Sequence, residues 1–138
     1  RLSRVLGLDY GERRIGLAIS DPLGIIAMPL TTIDRNKTAH LISQISEIVS
    51  EKKITSIVVG LPLTLKGHYS KQTEIVLAFI NKLKSNLQIP IVSIDERLST
   101  VAAKKSLQIQ NVKTGHEKGR VDETAAAIFL QEYLDSQF

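Results

Sequence analysis

Acidic residues stand at the ends of three apolar segments of this 138-residue chain. Asp9 follows the first segment, Asp95 and Glu96 follow the second, and Asp122 and Glu123 begin the third. Magnesium prefers oxygen ligands, so carboxylates that converge in the folded chain would form a site for Mg²⁺ or Mn²⁺. Such ions stabilise the attacking and leaving oxygens of a phosphodiester. If the three acidic sites meet, we therefore expect a metal-dependent nuclease.

Each acidic site also has a purely structural explanation. Asp9 lies near a glycine, in a turn that accepts aspartate readily. Acidic residues near the start of a helix interact favourably with its dipole, which would account equally well for the other two sites. The spacing leaves open which member of each pair would take part, Asp95 or Glu96 and Asp122 or Glu123.

Positive charge is concentrated in one part of this mildly basic chain. The net charge is +4, from 18 Lys and Arg against 14 Asp and Glu, and residues 97–120 hold six basic residues and one acidic one. This density is compatible with a nucleic-acid backbone as partner, although ordinary solvation also explains each residue. The candidates for phosphate contact are Arg14, Arg97, Lys113, Lys118 and Arg120.

Other kinds of site have little support in the sequence. Three Phe, three Tyr and no Trp argue against a base-stacking surface for single strands. His40 and His68 are expected on the surface, whereas His116 lies in the basic segment and could contact phosphate. Gly11 and Gly16 form neither a dinucleotide-binding nor a P-loop pattern.

The composition indicates one domain, residues 1–138, in a reducing compartment. The length suits a single hydrophobic core, and the absence of cysteine excludes a disulfide framework. No apolar run approaches the roughly 20 residues that span a bilayer, and no signal-peptide pattern is evident. We expect a cytoplasmic protein that does not bind membranes.

Hydrophobic periodicity predicts an α/β fold. The predicted strands are residues 4–9, 14–20, 25–33, 54–60 and 90–94, the predicted helices are 37–53, 70–87, 98–108 and 121–136, and 110–120 is a polar loop. Pro29 places the third strand near an edge or a bulge. A meander followed by α/β alternation predicts a mixed sheet with helices on its faces. The two later strands are expected to be parallel and central.

Four sequence blocks resemble the YqgF/RuvX family of ribonuclease H-like proteins. Their order and spacing run the length of the chain, and together they are highly specific. The blocks are Gly7-Leu8-Asp9-Tyr10-Gly11-Glu12-Arg13-Arg14-Ile15-Gly16-Leu17-Ala18-Ile19-Ser20-Asp21, Val58-Val59-Gly60-Leu61-Pro62-Leu63, Asp95-Glu96-Arg97-Leu98-Ser99-Thr100 and Lys118-Gly119-Arg120-Val121-Asp122-Glu123-Thr124-Ala125-Ala126.

This resemblance implies a fold, a site and an activity. The implied fold is ribonuclease H-like, a five-stranded mixed sheet of order 3-2-1-4-5 flanked by helices. The family's acidic triad falls on Asp9, Glu96 and Asp122, which would bind the metal. The implied activity is endonucleolytic cleavage in 5′-end processing of the small-subunit (pre-16S) rRNA precursor.

Two other activities remain open at this point. One is resolution of four-way DNA junctions, which requires two active sites and hence a dimer for symmetric cleavage. The other is non-catalytic RNA binding. We expect a monomer or a weak homodimer. The sequence departs from the family in one loop, which often reads Asn-Met-Asp-Gly and here reads Thr64-Leu65-Lys66-Gly67. Contacts between that loop and the substrate are therefore expected to differ.

Overall fold

A computed structural model describes residues 3–64, 66–96 and 115–137, and for residues 115–122 it describes the backbone alone. The elements in chain order are β1 (Val5–Tyr10), β2 (Arg14–Ser20), β3 (Ala27–Asp34), a short 3-10 turn (Arg35–Lys37), α1 (Leu41–Glu51), β4 (Ser56–Leu61), α2 (Lys71–Asn86), β5 (Ile91–Asp95) and α3 (Gly115–Ser136). The five predicted strands are therefore all present; β2 has the predicted bounds, and the bounds of the other four are shifted by one or two residues.

The strands form one mixed sheet in the order β3-β2-β1-β4-β5. β1 pairs antiparallel with β2 and parallel with β4, and β5 pairs parallel with β4. The predicted mixed sheet and its strand order are confirmed. The expectation that both later strands are central is wrong for β5, which is an edge strand, because flanking helices in a sequence do not reveal strand order. The exposure of Val92, 41%, reflects that edge position.

The third strand behaves as its proline predicts. β3 is the other edge of the sheet. Its pairing with β2 shifts register between Leu17, which pairs with Thr31, and Ala18, which pairs with Pro29. An edge and a bulge both spare proline from donating a ladder hydrogen bond that it cannot make.

Two apolar layers cover the two faces of the sheet. On one face Leu6, Leu8 and their neighbours pack with α1 and α2, through residues such as Ile45 and Phe79. On the other face Val5, Ala18 and Val58 pack with α3. Successive residues of a strand point to opposite faces, so Gly7 and Asp9 share the α3 face with Val5.

The α3 face is built from small residues, which brings the helix close to the sheet. A Cβ atom at Gly7 would lie 3.1 Å from the Cβ of Leu130 and 3.5 Å from the carbonyl oxygen of Ala126. Ala125 and Ala126 are buried in this layer. The helix therefore packs closely against β1, the strand that carries Asp9, as well as against β2 and β3.

The last helix begins earlier than its sequence suggests. Residues 115–120 were expected to belong to a polar loop, but α3 is helical from Gly115. Polar composition is typical of loops and equally of exposed helical turns, so it did not locate the start. The predicted helix at 98–108 lies outside the described residues. Within the described part of the chain, none of the helices is long and apolar enough to cross a membrane.

Asp21 organises the turn between β2 and β3. Its carboxylate accepts hydrogen bonds from the backbone N–H groups of Leu23 (3.1 Å), Ile25 (2.7 Å) and Ile26 (2.7 Å). These bonds, the one from Ile26 foremost, lower the pKa of Asp21 below its ordinary value of 3.8. The ionised carboxylate therefore stabilises the turn.

We predict that Asp21→Asn is less stable than the unchanged protein at pH 7. This difference in stability should become smaller as the pH falls to strongly acidic values. Since the folded pKa is below the unfolded one, the stabilisation is complete above the unfolded value and is lost as the pH falls through the folded value. Thermal unfolding followed by circular dichroism from pH 7 to about pH 2 measures the difference.

The control is Glu47→Gln, which removes one negative charge from an exposed position on α1. A deficit of Asp21→Asn that is as large at the acidic end as at pH 7 would contradict the prediction.

Candidate functional site

Asp9 is a buried carboxylate near the end of the central strand. It is only 4% exposed, and its backbone pairs with Gly16 of β2, which pairs in turn with Thr32 of β3. On the other side of β1, the partner of Leu8 is Val59, so the next residue of β4 is Gly60. The glycines on both neighbouring strands leave the space beside Asp9 free of side chains from these two positions.

The side chain of Glu96 occupies part of that space. Glu96 follows β5, and its carboxylate lies over Gly60 of β4. A Cβ atom at Gly60 would be 2.6 Å from Oε1 of Glu96. β4 lies directly between β5 and β1, so this carboxylate extends from the sheet edge toward Asp9. A group over β4 is one strand spacing, roughly 4.8 Å, from β1.

The alternation of β5 distinguishes Glu96 from its neighbour. Ile94 packs in the α3 layer, whereas Ile91 belongs to the opposite layer. Asp95 is therefore on the same face of the sheet as Ile91, and Glu96 is on the same face as Ile94. Of the two acids that the sequence left open, Glu96 is the one on the face of Asp9.

The backbone of α3 brings position 122 to the same region. Ala126 and Leu130 lie over Gly7, and position 122 is one helical turn before Ala126 on the same row. The helix runs opposite to β1, so one turn back along it corresponds to two residues forward along the strand, from Gly7 to Asp9. The Asp122 side chain lies outside the described residues.

Glu123 has a visible structural contact. Its Oε2 accepts a hydrogen bond from the hydroxyl of Thr32 at 3.1 Å, which ties α3 to β3. The expectation that these acids open the last helix is wrong, because position 122 lies about two turns after Gly115. A helix-dipole explanation of Asp122 and Glu123 is correspondingly weakened, since that effect fades within the first turn.

Of the candidate phosphate ligands, one has a described side chain, and it is on the same face of the sheet as Asp9. Arg14 begins β2 and shares the parity of Gly16 and Ala18, so it is on the α3 face. Arg97 and Lys113 lie outside the described residues. Lys118 and Arg120 lie on the first turns of α3, where only the backbone is described.

Arg35, which no sequence pattern distinguishes, holds the turn next to Asp9. Its Nη1 donates to the carbonyl oxygens of Gly11 (2.9 Å) and Glu12 (2.6 Å). Its guanidinium carbon lies 4.3 Å from the ring centroid of Tyr10, and that ring is 4.4 Å from the ring of Phe79. Arg35 therefore fixes the β1–β2 turn from the side opposite to Asp9.

A groove of about 600 Å³ lies on that opposite side, between the turn and the helices α1 and α2. Tyr10, Arg35 and Phe79 line it, together with His40 and Lys82. His40 and His68 are exposed, as expected, and His116 has no described side chain. Among the described side chains, no group of three His, Cys, Asp or Glu is placed to hold a metal ion.

The loop that follows Gly60 is anchored to the start of α2. The hydroxyl of Thr73 donates to the carbonyl oxygen of Pro62, and Thr73 is fully buried. Ser70 caps the helix by accepting a bond from the backbone N–H of Thr73 at 3.2 Å. The end of β4 is thus held firmly where Glu96 crosses it.

The five-stranded mixed sheet of order β3-β2-β1-β4-β5, with helices on both faces, is a ribonuclease H-like fold. RuvC of T. thermophilus in complex with a Holliday junction has a TM-score of 0.59 and 14% identity, over 98% of this chain and 95% of that one. The fowlpox virus resolvase bound to Holliday junction DNA has a TM-score of 0.56 and 10% identity, over 98% and 99%. At identities this low, the likeness establishes the fold alone.

The chain belongs to the RuvX family, described as Holliday junction resolvase, which matches residues 3–136. A relative from Roseiflexus sp. (strain RS-1) is 43% identical over 134 residues, covering 97% of this chain and 95% of the relative. A relative from Desulforamulus reducens is 45% identical over 133 residues, covering 96% and 97%. Both bear the name "Putative pre-16S rRNA nuclease".

We predict that Arg35→Ala lowers the free energy of unfolding by about 2 kcal/mol, because it removes two charged hydrogen bonds and a cation–π contact. Urea unfolding measures the loss. The matched control is Arg13→Ala, whose side chain is 59% exposed and pairs with Asp34 at 3.4 Å. That change should cost less than about 1 kcal/mol. Equal losses in the two variants would refute this role of Arg35 in holding the turn.

Proposed function

We propose that this chain, as one ribonuclease H-like domain spanning residues 1–138, is a metal-dependent endonuclease that hydrolyses a phosphodiester in structured RNA. Its expected role is 5′-end processing of the pre-16S rRNA precursor in the cytoplasm. Membership of the RuvX family makes the chain a nuclease, and its relatives are named for pre-16S rRNA. The observation that carries the site is the Glu96 carboxylate lying over Gly60 beside the buried Asp9.

Asp9 and Glu96 suit a divalent cation. Both offer oxygen donors, the kind that Mg²⁺ and Mn²⁺ prefer. Two ionised carboxylates held close together repel each other. A cation between them would offset that repulsion. We propose Asp122 as the third ligand, because its helix position lies one turn beyond Ala126 in the direction of Asp9.

The protein's part in catalysis is to place these oxygens and the substrate phosphate. A bound divalent ion would supply charge stabilisation to the phosphate and would activate water for attack. Asp9 is held by the central strand and is almost completely buried, so its carboxylate needs little reorganisation. Arg14 is on the same face and would hold a neighbouring phosphate.

The remaining basic residues would extend that contact along the nucleic acid. Arg97 follows Glu96 directly, and Lys118 and Arg120 lie just before position 122 on α3. Together with Lys113 they would surround the acidic site with positive charge. Phosphate contacts of this kind give affinity and orientation without reading base sequence.

Cleavage of four-way DNA junctions is the second candidate, favoured by the family's description and by the fold shared with RuvC. The same acids would serve either substrate, because the chemistry at phosphorus is the same. The difference would lie in assembly, since symmetric junction cleavage needs two sites held in a dimer.

A non-catalytic RNA-binding role is the third candidate. In this role, variants that lack the acidic residues would still bind RNA. The protein alone would not bind Mg²⁺ or Mn²⁺. Calorimetry with these ions therefore separates it from both catalytic candidates.

We predict that Asp9→Asn lowers the rate of cleavage of a pre-16S rRNA fragment in Mg²⁺ by at least about a hundredfold, because several kcal/mol of transition-state stabilisation are lost. Glu96→Gln should behave similarly. The matched control is Asp95→Asn, which changes the adjacent acid on the opposite face and should retain most activity. Undiminished cleavage by Asp9→Asn would refute the proposed site.

We also predict that the protein cleaves the pre-16S rRNA fragment faster than a four-way DNA junction at the same salt concentration and the same Mg²⁺ concentration. Fixed salt is essential because phosphate contacts make affinity strongly salt-dependent. Sedimentation of the protein with each substrate should show one protein per RNA. Faster junction cleavage by a dimer would instead support the resolvase activity.

A further inference from the structure

We propose that Gly60 is a positioning residue of the proposed site: because it has no side chain, the carboxylate of Glu96 can lie across β4 toward Asp9. This inference rests on the proposed function and adds to it a residue that bears no charge and touches neither metal nor substrate. Its role would be to keep one space empty.

The evidence is the identity of the atoms that surround the missing side chain. A Cβ atom at Gly60 would lie 2.6 Å from Oε1, 3.2 Å from Cδ and 3.0 Å from Cγ of Glu96. All three nearest atoms belong to this one residue. At Gly7, by contrast, the nearest atoms belong to Leu130 and Ala126, so that glycine serves the packing of α3.

The backbone does not account for glycine at this position. The described glycines with positive φ are Gly24 and Gly67, so Gly60 has a conformation open to other residues. Glycine inside a strand weakens it, and Val58 and Val59, which precede it in β4, are the β-branched type that strands favour. The space that glycine leaves for Glu96 offsets this cost.

The expected consequence of a methyl group at this position is a moved carboxylate in an intact fold. The atoms that would clash lie in the flexible side chain of Glu96, which can rotate away. Gly60→Ala should therefore unfold at nearly the same temperature as the unchanged protein. Its carboxylate would no longer lie beside Asp9.

Calorimetry with Mn²⁺ alone tests the positioning. We expect Gly60→Ala to bind Mn²⁺ about 10- to 100-fold more weakly, the range typical of residues that orient metal ligands. Glu96→Gln should also weaken binding, and the double variant should bind no more weakly than Glu96→Gln by itself. Such non-additivity indicates that Gly60 acts through Glu96.

Gly7→Ala is the matched control for a glycine replacement on the same face. Its new methyl group meets Leu130, so its effects on unfolding and on Mn²⁺ binding should add to those of Glu96→Gln. Unchanged Mn²⁺ affinity in Gly60→Ala, or full additivity with Glu96→Gln, would overturn the inference.

A second measurement separates this inference from the proposed function. In protein labelled with ¹³C, the carboxyl resonance of Glu96 in metal-free solution should move in Gly60→Ala and stay in place in Gly7→Ala. If the unchanged protein binds no Mn²⁺ but the resonance moves, the metal site fails and the positioning role stands. An unmoved resonance would overturn the positioning role whatever the protein binds.

Discussion

β1 is hydrogen-bonded on both edges and covered on both faces, and this enclosure is the constraint on which the rest of the structure depends. Burial of a carboxylate costs several kcal/mol unless hydrogen bonds or a cation compensate it. Asp9 is therefore held at a place where the fold must offer it partners. Gly16 on β2 and Gly60 on β4, the two strands next to β1, place no side chain of their own against the carboxylate of Asp9.

Much of this architecture could be predicted from local patterns. Alternation and β-branched runs located all five strands, and Pro29 indicated an edge or a bulge, both of which the structure shows. Asp9 and Glu96 stood out because an acid after an apolar strand is a local signal. The choice of Glu96 over Asp95 followed from the resemblance, and the packing of Ile94 now supplies a physical reason for it.

Other features depend on contacts between distant parts of the chain, so local patterns could not reveal them. Gly60 reads as an ordinary interruption of a strand until Glu96 is seen to lie over it. Arg35 resembles any surface cation until it is found against Tyr10 and two backbone carbonyls. The edge position of β5 depends on the order in which distant strands pair, and polar composition did not distinguish the first turns of α3 from a loop.

The cover that α3 places over β1 also has a consequence for the order of events during synthesis. β1 is completed by α3, which lies far downstream in the chain, and at roughly 5–20 residues per second the two are separated by about 5–20 s of translation. Until then Val5 and Ala18 lack the apolar layer that buries them. A nascent chain would thus display a half-finished sheet to its surroundings. The proposed site would assemble only after α3 had been translated.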